Sequence, residues 1–75
     1  MTKDARLLLE QAQWLVVLGE RLDMERLVLK KLVDNGVDYN DPRILETLGR
    51  ITEVDSEWKQ LEAEHLLLRK KFGLP

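Results

Sequence analysis

The stretch "VDNGVDYNDPRILETLGRIT", Val33 to Thr52, decides the fold of this chain. Gly36 is a natural helix stop, because glycine takes the left-handed conformation after the last turn with no Cβ penalty. A few residues on, Asp41 and Pro42 restart a helix. The Asp carboxylate can accept from free amides of a new first turn, and proline at the first helical position gives up no hydrogen bond. Working outward, no proline precedes Pro42, Thr2 suits an N-cap and Asp4 suits a first turn, while Gly73 and Pro75 stop the second element. The expected architecture is all-α: helix one over about 3–35, a loop over 36–41 and helix two over about 42–72, folded as one long antiparallel hairpin in a single domain spanning 1–75. At ~1.5 Å per residue each helix is roughly 45 to 50 Å long.

Helix two carries a heptad. Ile44, Ile51, Trp58, His65 and Phe72 fall seven apart, with Thr47, Val54, Leu61 and Leu68 three further on in each repeat. Its flanks, Arg43, Arg50, Glu57, Glu64 and Lys71, are all charged, so the seam is narrow and its sides are solvated. On helix one, Leu8, Leu15, Leu22 and Leu29 form one line with Leu18 and Leu32 beside it. Folding about the loop sets Leu29 near Leu48, Leu22 near Val54, Leu15 near Leu61 and Leu8 near Leu68.

Those layers leave Leu7, Trp14, Val17, Met24 and Val28 unused, a wider apolar stripe than one partner helix covers. A second partner is implied. Two hairpins packed through helix one into a homodimeric four-helix bundle is the simplest answer, since a two-helix chain buries little and two-fold dimers are the commonest assembly. A different protein docking on the same stripe is the alternative. Gly19 also admits two readings: a continuous helix in which glycine makes room for Trp58, or a break at Gly19 with Asp23 capping a separate helix.

The chain has 75 residues, 44% of them hydrophobic and 35% charged, with a formal net charge of −2 and no cysteine. Such a balance fits a folded chain rather than an acidic disordered tail. Disulfides and thiolate metal sites are excluded, and a cytoplasmic setting is expected. Arg69, Lys70 and Lys71 form the one compact cationic cluster, which the dipole at a helix C-terminus already explains, so no nucleic-acid partner is expected. Trp14 to Leu18 is too short an apolar run to span a bilayer, and the first residues lack the pattern of a secretory signal, so no membrane partner is expected either.

His65, the single histidine, falls on the seam opposite Gln11. The pair reads as a buried polar layer in which imidazole and amide satisfy each other and help fix register. A sharper reading takes Glu62 and His65 as the Glu-x-x-His pair of a metal-binding four-helix bundle, with Glu10 as a further ligand from helix one. The sequence implies no cofactor otherwise. With no cysteine, a lone Ser56 facing away from His65 and no glycine-rich phosphate loop, no catalytic constellation can be assembled. Asp23 with Arg26, and Glu25 with Arg21 or Lys30, read as ordinary pairing along a helix surface.

From Leu22 to Trp58 the chain resembles the small aspartyl-phosphate phosphatases that regulate sporulation in spore-forming bacteria. The likeness lies in "LDMERLVLKKLVDNG", in "DPRIL" after the loop, in Ile51 and Val54, and in the Glu57-Trp58 pair. It implies a bacterial helical hairpin whose partner is a signalling protein such as a phosphorylated response regulator. That family's Ser-Gln-x-x-Asp core falls on Leu48, Gly49 and Thr52 here. The function expected is therefore a non-catalytic interaction or regulatory module, with a divergent phosphatase as the alternative.

Overall fold

The computed structural model describes Thr2 to Pro75 as two antiparallel helices, α1 over Lys3–Asp34 and α2 over Pro42–Lys71, joined by a short loop. The rod measures 51 × 19 × 15 Å. Its caps follow from the residues at its turns. The Thr2 hydroxyl accepts from the Ala5 amide at 3.1 Å. Asp41 accepts from the Arg43 amide at 2.9 Å and from the Arg43 guanidinium at 3.1 Å. That guanidinium, followed by the amide, holds the Asp41 carboxyl below its ordinary value, and the carboxylate in turn raises the guanidinium.

Both helices end the same way. Gly36 has φ 76°, its amide donates to the Val33 carbonyl, and the Val37 amide donates to that of Leu32. At the other end Gly73 has φ 70°, with Gly73 and Leu74 donating to Lys70 and Arg69. These paired bonds satisfy carbonyls that a helix end otherwise leaves orphaned. Phe72, expected on the heptad seam, lies beyond the last turn of α2 and is exposed.

The core is thin. Leu18, Leu22, Ile44 and Val54 are its buried apolar residues, with Ile51, Trp58 and Leu61 packed around the Leu18, Leu22 and Val54 cluster. Two polar residues among those described, Gln11 and Thr47, are buried as well. Thr47 holds the seam position level with Leu29, and Leu48, expected there, is exposed. One residue further along a helix turns a side chain by about 100°, which carries Leu48 off the seam. The Thr47 hydroxyl donates to the Arg43 carbonyl at 2.7 Å and accepts from Arg50 at 3.1 Å, so its burial leaves no unpaired group.

Helix α1 runs unbroken through Gly19, and Asp23 caps nothing. Trp58 explains how the two helices come close here: its indole N–H donates to the Leu15 carbonyl at 3.2 Å. A Cβ on Gly19 would meet that indole nitrogen at 3.7 Å, an ordinary contact. Close approach therefore does not require glycine.

Candidate interaction surface

Polar contacts across the seam fix how the helices are set against each other, and hence which faces remain outside. Asp4 pairs with Lys71 at 3.1 Å, His65 Nδ1 lies 3.0 Å from Gln11 Oε1, and Arg50 donates to Glu25 at 2.8 Å. As one member climbs α1 its partner descends α2 by the same amount to within one residue, so a single register runs the length of the rod. Glu25 thus reaches across to α2, whereas pairing with Arg21 or Lys30 was expected. It sits at the edge of the seam and is the less exposed member of the pair. Asp23 and Arg26 do pair along the surface, at 3.7 Å.

With the seam filled this way, the stripe of Leu7, Trp14, Val17, Met24 and Val28 is left open. Trp14 is 60% exposed and Met24 69%. The stripe is centred about 100° round α1 from the seam, given the helical period. Single exposed apolar residues are normal, but several large ones along one side of a helix make a candidate interaction surface.

The other candidate residues sit less favourably for chemistry. Glu10 is exposed on α1, Glu62 is half-buried on α2, and His65 is engaged with Gln11. Among the described residues no three His, Asp or Glu side chains are grouped so as to hold a metal ion. Leu48, Gly49 and Thr52 lie exposed together on α2, and the Thr52 hydroxyl donates to the Leu48 carbonyl at 3.0 Å. Neither a carboxylate nor a side-chain amide is offered at those positions to orient a water.

A second apolar patch was not foreseen from the sequence. Leu66, Leu67, Leu74 and Pro75, with Ala63, surround a shallow depression at the end of α2, edged by Arg69 and Lys70. Leu66 and Leu67 belong to neither heptad line, and that was the available signal. Among the described residues no helix is long and apolar enough to cross a membrane. Comparisons of the chain with protein-family models, with curated proteins and with solved structures give no match. The surface is therefore read from its own chemistry.

Proposed function

We propose that this hairpin is a non-catalytic protein-interaction module of a bacterial cytoplasm, and that it self-associates through the α1 stripe into a four-helix assembly. One observation carries the reading: Trp14 and Met24, both large and apolar, stand mostly in solvent on a rod in which four apolar side chains are buried among the described residues. A chain of this size buries too little surface alone to be comfortably stable, and covering the stripe adds the missing core. Sedimentation equilibrium over a wide concentration range tests it. Wild-type protein should sediment as a dimer and Trp14→Asp as a folded monomer; a monomeric wild type at every concentration refutes self-association.

A second reading rests on the exposed Leu48 of α2, one of the positions on which the core of the resembled phosphatases falls. In this reading the hairpin docks on a receiver domain and leaves its phosphoryl group in place. Phosphorylated receiver domains incubated with the protein should bind it with no faster phosphate release. Faster release would favour the divergent phosphatase instead, and absence of binding would remove the receiver domain as a partner.

A further inference from the structure

The α1 stripe has an internal pattern that bears on how a second copy would lie on it. Two lines run along it in heptad steps. Leu7, Trp14, Arg21 and Val28 form one, and Glu10, Val17, Met24 and Lys31 the other. Glu10, Arg21 and Lys31 are exposed, and none has an ion-pair partner among the described residues. They interrupt the apolar surface with charges that the hairpin itself leaves unanswered.

From this pattern we propose that the occupant of the stripe is a second copy of this chain, with α1 antiparallel to α1 and the two-fold axis passing between Leu15 and Val16. The inference rests on the self-association proposed above and adds its direction and register. In this register Leu7 faces Met24 of the second copy and Trp14 faces Val17, each contact occurring twice by symmetry. Glu10 then falls opposite Arg21, again twice, so the two charges nearest the centre of the stripe answer each other. At the ends Val28 meets the aliphatic stem of Lys3, whose ammonium reaches water.

Other alignments do worse. A parallel, in-register pair sets Glu10 on Glu10, Arg21 on Arg21 and Lys31 on Lys31, three like-charge contacts where the chosen register has none. Sliding the antiparallel pair by one heptad toward the loop puts Leu7 on Lys31, Val17 on Arg21 and Val28 on Glu10, leaving only Trp14 and Met24 in apolar contact, and sliding it the other way puts Trp14 on Glu10 and Arg21 on Lys3, leaving only Leu7 and Val17. The stripe offers on the order of 500 Å² of apolar surface per copy, given ~150–250 Å² for the largest side chains, and with its polar margins this reaches the lower range of stable interfaces, ~1,200 Å² in total. Because the stripe lies slightly more than a quarter turn from the seam, the two α2 helices splay apart and their charged flanks stay solvated.

The chain lacks cysteine, so single-thiol probes report without background. Glu10→Cys and Arg21→Cys variants, distinguished by a mass tag, are mixed and treated with a short bis-maleimide. In the proposed register the thiol introduced in place of Glu10 lies beside the one introduced in place of Arg21 on the other copy, while like positions are eleven residues apart along the helix, roughly 16 Å. The mixture should yield the cross-linked heterodimer, and neither variant alone a homodimer. Cross-linking of Glu10→Cys with itself overturns the antiparallel arrangement. A dimer that sediments normally but never cross-links places the interface on another face, with the Leu66 and Leu67 patch the first to test. A wild type that stays monomeric removes the self-association reading and this inference together. Charge reversal gives an independent check: Glu10→Arg or Arg21→Glu should each weaken dimerisation about tenfold, as loss of a close charge pair does. The double reversal should restore it, whereas unchanged single variants would overturn the pairing.

Discussion

The Gln11–His65 layer lends itself to a quantitative test, because its two members differ in how much water they see. Gln11 is 8% exposed, whereas His65 is half-buried. Replacing His65 with Leu leaves the Gln11 amide without a partner in a place water scarcely reaches, a penalty of about 1–3 kcal/mol. A half-buried leucine gains back about 1 kcal/mol, so the single variant should be less stable by roughly 1 kcal/mol. Gln11→Leu behaves differently. The imidazole it strands can turn to solvent, so only the hydrogen bond, about 1 kcal/mol, is lost against the about 2 kcal/mol that a fully buried leucine gains, and this variant should be stabilised by about 1 kcal/mol.

The double variant keeps both apolar gains and strands nothing, and should be the most stable of the four by about 2–3 kcal/mol over wild type. Urea unfolding of all four at one protein concentration closes the cycle, with concentration held fixed because association contributes to apparent stability. An interaction energy under about 0.5 kcal/mol between the two sites would refute a coupled polar layer. A double variant that gains stability yet sediments as a mixture would point to the layer's other role, fixing register.

Three further outcomes follow from the same structure. Gly19→Ala and Gly49→Ala should each stabilise the hairpin by about 1 kcal/mol, raising Tm by about 4–8 °C, because a methyl at the first meets Trp58 at an ordinary distance and the second faces open space; thermal unfolding checks both, and a lower Tm at Gly19 would mean the helices approach more closely than 3.7 Å allows. Gly36→Ala should cost about 1 kcal/mol, since φ 76° is strained for any L side chain; an unchanged urea midpoint would refute the loop geometry. Asp41 has its carboxyl lowered chiefly by the Arg43 side chain, so its contribution is complete above the ordinary carboxylate value of about 4 and is lost as pH falls through it toward the lower folded value. Asp41→Asn should therefore flatten the acid limb of the stability profile while keeping the cap, and an unaltered limb in that variant would remove Asp41 from the acid response.

The hairpin was legible because its punctuation is chemical. Gly36, Asp41 and Pro42 each require a particular backbone, and one helix could not accommodate all three in succession. The Gln11–His65 level was legible because one register, once anchored at the loop, fixes every layer beyond it. Thr47 was harder. Hydropathy favours Leu48 for a core position, and only the hydroxyl's bonds to Arg43 and Arg50 show why threonine is tolerated there. Glu25 was read along its own helix because i to i+4 spacing is visible in a sequence, whereas a salt bridge to Arg50 depends on which edge of the seam faces which. The Leu66 and Leu67 patch escaped notice because periodicity describes the face a helix buries and says little about apolar residues outside it.

An antiparallel rod with a single tight bend also has a direction in time. Layers beside the loop join residues close in the chain, and each layer further out is brought within reach by the one before, so the entropy of closure is met in small steps. Opening follows the reverse path. The Asp4–Lys71 pair closes the span farthest from the bend and should be among the first contacts to let go, so amide exchange is expected to spread inward from that end as a graded fraying.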